Sequence, residues 1–274
     1  MLAICSYNID SYKNQLNKFA HVKFIADEHT YSIDGCIAQS VTTTLKQFVK
    51  PFDREYWAKI KASQLNISMD DILSKWQFSA EFAQVKGTLV HQFIECRLNG
   101  SQFVYPDELI MQIFGYDPIQ EPFSQIIPVV EKFLIDIENK MLSIFSEFVI
   151  GDLEYLIGGT IDQLFYNKKS DKIEIWDWKT NKEIKLESRF FHLAPLSHIP
   201  DTELDHYSLQ LALYKLILEK NTGLELGNSY VAWFHETSAI YRIYKTKDYK
   251  KEAQLILDMM PLIQDKTVVE TIKE

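Results

Sequence analysis

An aspartate and a lysine stand two residues apart near the end of a segment whose apolar residues alternate, which predicts a β-strand over residues 173–180. Alternate side chains of a strand face the same side, so Asp177 and Lys179 share a face with two isoleucines. Charges on such a buried face are costly unless they pair or bind a metal. A purely structural Asp–Lys pair is the alternative that these residues alone leave open.

A second carboxylate lies in the preceding predicted strand. Asp162 occupies the middle of residues 160–166, where aspartate is disfavoured, and a tight hairpin would bring it near Asp177. Two carboxylates beside a lysine suit a hard divalent cation such as Mg²⁺ or Mn²⁺. The paired glycines just before Asp162 would let another backbone or a phosphate approach closely.

Two predicted helices carry further polar residues. His91 and Glu95 are four residues apart, so they lie on neighbouring turns along the border of an apolar stripe. Gln210 and Tyr214 likewise share one face of a helix whose leucines fill the core. Taken alone, His91 is more often a core histidine, and the second helix is more often an ordinary buried helix.

Together, these segments resemble the RecB-type branch of the PD-(D/E)XK nuclease superfamily. That branch combines a Gly-x-x-x-His helix, a Gly-x-x-Asp strand, an Asp-x-Lys strand and a Gln-x-x-x-Tyr helix, in that order. The matching pairs lie between about residues 85 and 220 and are Gly87/His91, Gly159/Asp162, Asp177/Lys179 and Gln210/Tyr214. Two N-terminal stretches are similar to phage and mitochondrial genome maintenance exonucleases within the branch: Glu28-His29-Thr30-Tyr31 and Ser40-Val41-Thr42.

The resemblance implies a metal-dependent hydrolytic site. His91, Asp162 and Asp177 would hold Mg²⁺ or Mn²⁺, and the main-chain carbonyl of Trp178 would be a further ligand. Lys179 would orient the attacking water or balance the charge that develops on the phosphate. Some relatives carry iron–sulfur cysteines that this chain lacks, so no iron–sulfur cluster is expected.

The resemblance also assigns the remaining polar residues. Glu147 aligns with a carboxylate often present in the branch and is a candidate ligand, with a solvated strand-edge charge as an equal alternative. Glu95 would orient His91 or reach a second metal. Gln210 and Tyr214 would position Lys179 or the scissile phosphate.

Basic residues around the predicted β-hairpin are candidates for nucleic-acid binding. They fall into two groups, one at the hairpin turn and one after the last strand of the hairpin, and they are Lys168, Lys169, Lys182, Lys185 and Arg189. Because Glu183 and Glu187 are interleaved with the second group, a mixed solvated surface is equally open.

The composition bounds the class of protein. The chain has 274 residues and a net charge of −9, which counts against a protein that coats duplex DNA non-specifically. The three cysteines are scattered, without the spacing of a disulfide framework or zinc site. No signal peptide or membrane-spanning stretch is visible, so we expect a cytoplasmic protein of a bacterial cell or phage-infected host that does not bind membranes.

The order of predicted elements indicates an α/β fold. We expect a restriction-endonuclease-like mixed central sheet flanked by helices, comprising residues 85–274, and a mostly helical extension with a short hairpin over residues 1–84. Predicted helices cover residues 70–98, with a break or kink near Gly87, and residues 125–142 and 204–220. Residues 101–121 are predicted to be irregular because Pro106, Gly115, Pro118 and Pro122 lie in or directly after them. Three strands over residues 145–180 and two more over 229–244 complete the pattern.

These observations predict a metal-dependent nuclease that hydrolyses phosphodiester bonds of DNA. An exonuclease that prefers single strands or DNA ends, with a role in replication, recombination or repair, follows from the resemblance. Two alternatives stay open: a non-catalytic nucleic-acid-binding or protein-binding module on the same fold, and an RNA-cleaving nuclease. The sequence has no feature that distinguishes ribose from deoxyribose.

Overall fold

The computed structural model describes residues 2–26, 28 and 30–271. The helices are α1 (Leu2–Leu16), α2 (Val41–Lys46), α3 (Arg54–Leu65), α4 (Met69–Asn99), α5 (Asp107–Phe114), α6 (Gln120–Glu138), α7 (Glu203–Thr222) and α8 (Lys250–Thr271). The strands are β1 (Val22–Ile25), β2 (Thr30–Ile33), β3 (Cys36–Ser40), β4 (Met141–Asp152), β5 (Ile157–Asn167), β6 (Lys172–Lys179), β7 (Ser229–Trp233) and β8 (Arg242–Lys245).

These strands form one mixed sheet of eight strands in the described part of the chain. Seven of them lie side by side in the order β1-β2-β3-β5-β6-β7-β8, and β4 pairs antiparallel with β5. The pairs β3–β5 and β6–β7 are parallel, whereas the other pairs are antiparallel. The α/β class with a mixed central sheet flanked by helices is therefore confirmed.

Each face of the sheet is covered by helices, because the side chains of β6 alternate between two apolar cores. Ile175 belongs to a core that includes Leu213 of α7 and Ile256 of α8. Trp178 belongs to a second core that includes Val90 of α4 and other residues of α4 and α6. The two helices that carry the predicted site residues, α4 and α7, thus contribute to opposite faces of the sheet.

Strands β5 and β6 separate before β6 ends. The pairing between β5 and β6 stops at Gln163 and Trp176, while β6 continues beside β7 as far as Lys179. In place of a backbone partner on β5, the main-chain N–H of Trp178 donates to Oδ2 of Asp162 over 2.7 Å. The result is an opening in the sheet where polar side chains from both faces meet.

Three predicted element boundaries are wrong. Helix α4 runs through Gly87 without a break, because its flanking turns bury Leu89, Val90 and Ile94 and outweigh the low helix propensity of one glycine. The stretch 101–121 contains α5, and its breakers mark the ends of that helix. Helix α6 begins and ends earlier than predicted, so β4 starts at Met141.

The N-terminal segment is continuous with the sheet. Strand β3 pairs with β5 through Gln39 and Ser40, and α4 spans the predicted boundary between residues 84 and 85. The division into an extension of residues 1–84 and a core of residues 85–274 stays a prediction. His29 of the N-terminal motif lies outside the described residues. In the described part of the chain, no helix combines the length and the apolar character that crossing a membrane requires.

Candidate functional site

Three ligand-type side chains converge at the opening between β5 and β6. His91 of α4, Glu147 of β4 and Asp162 of β5 each offer one ligand atom, and these atoms lie within 4.8 Å of one another. Nδ1 of His91 is 3.4 Å from Oε1 of Glu147 and 3.8 Å from Oδ2 of Asp162. Nε2 of the same ring is 3.2 Å from the main-chain oxygen of Trp178. One imidazole therefore lies against two carboxylates and against the carbonyl predicted as a ligand.

The position of Glu147 is unfavourable in two ways, of which a cation would offset the first. Its neighbours Ser146 and Phe148 pair with Gln163 and Ile161, so Glu147 stands across from Asp162, and like charges in that position repel. Its φ of +46° lies in the left-handed region, which costs a residue with a side chain about 1–2 kcal/mol. One imidazole and two carboxylates are a donor set that divalent cations accept, so the residues present fit such an ion.

The electrostatics of His91 follow from the same two acids. Burial disfavours the imidazolium, but Asp162 and Glu147 outweigh this effect and raise the pKa of His91 to about 9. The two acids therefore favour the charged form of the ring when no metal is bound. A metal ion would take the place of that proton, because a histidine ligand must be neutral.

Asp177 and Lys179 form a second pair beside this group. Nζ of Lys179 lies 2.5 Å from Oδ2 of Asp177, which is only 2% exposed. Burial raises the pKa of Asp177 to about 6, against the opposing effect of Lys179 and with the added repulsion of Asp162. Burial disfavours the ammonium of Lys179, but Asp177 and Asp162 outweigh it and raise the pKa of Lys179. Asp177 is not among the three converging ligand atoms, so its role as a metal ligand stays a prediction.

A cleft of about 550 Å³ opens in front of these residues, between α4 and the end of β6. It lies within the usual size range of ligand pockets. Its wall includes His91, Glu147 and Lys179, and Glu95 lines it one helical turn beyond His91. Glu95 does not belong to the converging group, so its predicted role also stays a prediction. Other polar residues of the wall, unpredicted from the sequence, are Gln84, Thr88, Gln92, Thr180 and Asn181.

Helix α7 covers the site from the opposite face, but its contacts differ from the expected ones. Nε2 of Gln210 donates to the hydroxyl of Tyr214 over 3.0 Å. The ring of Tyr214 presses on Gly159, where an added Cβ would lie 2.3 Å from Cε1. The residue of α7 that touches Lys179 is Tyr207, whose ring centre is 4.8 Å from Nζ. Among the described residues neither Gln210 nor Tyr214 makes a hydrogen bond to Lys179, and their predicted role in positioning Lys179 or the scissile phosphate stays a prediction.

Sequence reasoning missed Tyr207, although a signal was present. Tyr207 lies three residues before Gln210, so both belong to one helical face. The rotation of α7 about its axis decides which member of that face reaches Lys179.

The predicted basic residues divide into two sets. Lys182 and Arg189 are exposed in the segment between β6 and α7, and Lys185 pairs with Glu203 at 3.5 Å. Lys168 and Lys169 occupy the turn at the far end of the hairpin, about 20 Å along β5 from Asp162 at 3.3 Å per residue. Nζ of Lys168 donates instead to the carbonyl groups of Glu138 and Asn139 at the end of α6. The expectation that the hairpin lysines lie beside the site is therefore wrong.

Comparisons with known proteins give no family assignment. No family model matches the chain, and no curated protein matches it. Among solved structures, a candidate exonuclease from Eubacterium rectale matches with 19% identity and a TM-score of 0.42, over 67% of this chain and 66% of that one, a little under two thirds of its length.

Two further solved structures match with lower scores. LHK-Exo in complex with dAMP matches with 13% identity and a TM-score of 0.31, over 66% of this chain and 80% of that one. SSO0001 matches with 11% identity and a TM-score of 0.28, over 65% of this chain and 86% of that one. All three TM-scores are below 0.5, so these matches support no argument about the activity of this chain.

Proposed function

We propose that this protein is a divalent-metal-dependent nuclease of the PD-(D/E)XK type, RecB-type branch, that hydrolyses phosphodiester bonds of DNA. The observation that carries the proposal is the convergence of His91, Glu147 and Asp162 on one point beside the Asp177–Lys179 pair. A second support is that these residues come from four separate elements and meet where two strands of the sheet separate.

Each residue then has a task in phosphodiester hydrolysis. His91, Glu147, Asp162 and the carbonyl of Trp178 would hold Mg²⁺ or Mn²⁺, with Asp177 as a further ligand. The ion, when bound, supplies a Lewis acid and lowers the pKa of a water molecule. Lys179 donates hydrogen bonds to the phosphate as negative charge develops on its oxygens.

Two structural roles support this chemistry. Asp162 accepts from the main-chain N–H of Trp178, which fixes the orientation of its carboxylate and of the neighbouring carbonyl. Glu95, on the wall of the cleft one helical turn from His91, would orient His91 or reach a second metal. Gln210 and Tyr214 support the site indirectly, through the close packing of α7 on Gly159.

The substrate that fits best is single-stranded DNA or a DNA end. Phe190 and Phe191, in the segment that follows Lys179, are 64% and 52% exposed. Two main-chain hydrogen bonds hold them in place: Asp201 N–H donates to the carbonyl of Phe190 over 2.9 Å, and His192 N–H to that of Ile199 over 3.0 Å. Exposed rings on a fixed backbone stack on unpaired bases.

Basic side chains near the rings of Phe190 and Phe191 would bind the phosphates of the strand. Arg189 lies 5.5 Å from the ring of Phe190, and among the described residues neither Arg189 nor Lys182 forms an ion pair. Lys185 is partly neutralised by Glu203, and Glu187 lies in the same groove, so stacking would contribute more than phosphate neutralisation. The exonuclease mode and a role in replication, recombination or repair rest on the resemblance to genome maintenance exonucleases.

A metal-titrated cleavage assay tests the proposal. End-labelled single-stranded DNA, duplex DNA and RNA are incubated with the protein in EDTA and in increasing Mg²⁺ or Mn²⁺. We expect cleavage of single-stranded DNA that requires the metal and is lost in Asp177→Ala and Lys179→Ala. Lys172→Ala is the matched control, because Lys172 pairs with Glu225 at the opposite end of the same strand.

Each contrary outcome points to a different account. Cleavage by both variants at the wild-type rate contradicts the assigned site. Preferential cleavage of RNA contradicts the substrate. Tight binding of single strands without cleavage at any metal concentration favours the non-catalytic module.

A further inference from the structure

We propose that Tyr207 is a positioning residue that holds the ammonium of Lys179 in its working orientation through the face of its ring. The proposal rests on the nuclease function proposed above and adds one residue to its machinery. Nζ of Lys179 lies 4.8 Å from the ring centre of Tyr207 and 2.5 Å from Oδ2 of Asp177. A cation at this distance from a tyrosine ring is attracted by the negative face of the ring.

Lys179 needs such a contact because its side chain is flexible and only one acid holds it. Among the described residues, Asp177 provides the sole carboxylate within 4.0 Å of Nζ. A lysine carries its charge on a stem of four carbons with three rotatable donors, so one ion pair leaves its direction loosely fixed. The ring adds a second point of attraction without engaging the N–H groups as strongly as a carboxylate would. Hydrogens of the ammonium then remain available for a phosphate oxygen.

Helix α7 holds the ring rigidly. Tyr207, Gln210 and Tyr214 follow one another at spacings of three and four residues, so they form one stripe that faces the site. Tyr214 is 3% exposed, packs closely against Gly159 and accepts a hydrogen bond from Gln210. These contacts fix the end of the stripe that lies near the middle of α7.

The start of α7, on the other side of Tyr207, is fixed as well. The side chain of Thr202 caps the helix by accepting from Asp205 N–H, and the carboxylate of Asp205 pairs with Lys247 at 2.6 Å. Tyr207 lies between these two anchored points, so its ring has a defined position over Lys179.

The ring, and not the hydroxyl, carries the contact. Among the described residues the hydroxyl of Tyr207 has no hydrogen-bond partner within the protein, whereas that of Tyr214 is bonded to Gln210. Phenylalanine at position 207 would keep the attraction, and leucine would keep only the bulk. The molecule offers a matched pair elsewhere, because Nζ of Lys220 lies 4.1 Å from the ring centre of Tyr155.

The test compares Tyr207→Phe, Tyr207→Leu and Tyr155→Leu with the wild type on single-stranded DNA in Mg²⁺. For Tyr207→Leu we expect kcat to fall about tenfold or more, which is the order of a desolvated cation–π contact. KM and the Mg²⁺ concentration for half-maximal activity should stay close to the wild-type values. Tyr207→Phe and Tyr155→Leu should keep kcat near that of the wild type.

Two results would overturn the proposal. If folded Tyr207→Leu keeps the wild-type kcat, the ring does not position Lys179. If Tyr207→Phe loses as much as Tyr207→Leu, the hydroxyl is responsible. Circular dichroism monitors folding, and Tyr207→Met replaces the leucine variant if that variant unfolds. If the wild type cleaves and the substitutions of Tyr207 leave kcat unchanged, this proposal alone is refuted. If the wild type cleaves nothing in any metal, the nuclease function is contradicted as well.

Discussion

Two buried aspartates of this protein have opposite electrostatic environments. Asp152, at the end of β4, is 1% exposed and accepts hydrogen bonds from Lys220, Asn221 and the main-chain N–H groups of Glu154 and Tyr155. Burial would raise the pKa of its carboxyl, but Lys220 and Asn221 outweigh burial and lower the pKa.

Asp177 is buried to the same degree and lacks such a set of donors. Lys179 is its one ion-pair partner in the described residues, and burial together with Asp162 raises its pKa to about 6. A fully satisfied carboxylate stabilises the fold, whereas a buried carboxylate with a raised pKa and few donors is a candidate for a functional role. The difference separates the structural acids of this molecule from those of the proposed metal site.

The largest expected effect is on activity. Asp177→Asn should lower the cleavage rate by about 10²-fold or more, as expected for the loss of a group that stabilises charge in the transition state. At pH 8 in EDTA, the free energy of unfolding should fall, because asparagine leaves the ammonium of Lys179 without the one carboxylate that pairs with it in the described part of the chain. Urea denaturation and the cleavage assay measure the two quantities.

The pH dependence of stability sharpens the same comparison. The folded pKa of Asp177 exceeds the ordinary value of 3.8, so its stabilising contribution is present below pH 3.8 and is lost as pH rises through 6. The folded pKa of Asp152 is lowered, so its contribution is present above the ordinary value and is lost only as pH falls through the folded pKa. In EDTA, Asp177→Asn should remove the loss between pH 4 and 6; an unchanged profile contradicts the assigned environment.

The next largest effect is on the structural acid. Asp152→Ala should lower the free energy of unfolding by about 3 kcal/mol, because it leaves buried donors without an acceptor. Activity of the folded fraction should persist. Asp136→Ala is the control: Asp136 also accepts from a lysine and a tyrosine, but its side chain is 38% exposed, so its loss should lower the free energy of unfolding much less than the loss of Asp152. Equal losses for the two variants would show that burial of Asp152 is not decisive.

The next comparison is between Gly159 and Gly87, the two motif glycines, and concerns the change in stability when each is replaced by alanine. An added Cβ at Gly159 would lie 2.3 Å from the ring of Tyr214, so Gly159→Ala should destabilise the protein by about 1–3 kcal/mol. An added Cβ at Gly87 would lie 3.5 Å from its nearest neighbour, Oγ1 of Thr180, which is ordinary contact. Gly87→Ala should therefore leave the free energy of unfolding unchanged or raise it by up to about 1 kcal/mol. Thermal unfolding measures both; the reverse order contradicts the tight packing of α7 on β5.

The smallest expected change in stability concerns Glu147. Glu147→Gly relieves a left-handed backbone and should raise the free energy of unfolding by about 1 kcal/mol. The same variant should lose metal-dependent cleavage. Asn66→Gly is the control, because Asn66 also has a left-handed backbone, at the end of α3, and lies outside the cleft lining. Its activity should not change; retention of cleavage by Glu147→Gly would remove Glu147 from the site.

Much of the site could be predicted from the sequence, because its residues lie in elements with a clear period. The alternation of β6 gives the shared face of Asp177 and Lys179, and the helical stripe of α4 gives the border position of His91. The convergence of His91 with Asp162 follows once the two elements pack together.

Other features could not be predicted because they depend on tertiary geometry. The left-handed backbone of Glu147 and its position across from Asp162 arise from the register of β4 on β5. The rotation of α7 brings Tyr207, and not Gln210, to Lys179. The length of the β5–β6 hairpin places Lys168 far from the cleft, although its position in the sequence is close to Asp162.

The central claim is that His91, Glu147 and Asp162 bind one divalent ion. A crystal soaked in Mn²⁺ and measured at the manganese absorption edge tests it directly. We predict one strong anomalous peak within about 2.0–2.6 Å of ligand atoms from all three side chains, absent from crystals of His91→Ala. No peak at that point, at a Mn²⁺ concentration that supports cleavage, would contradict the account.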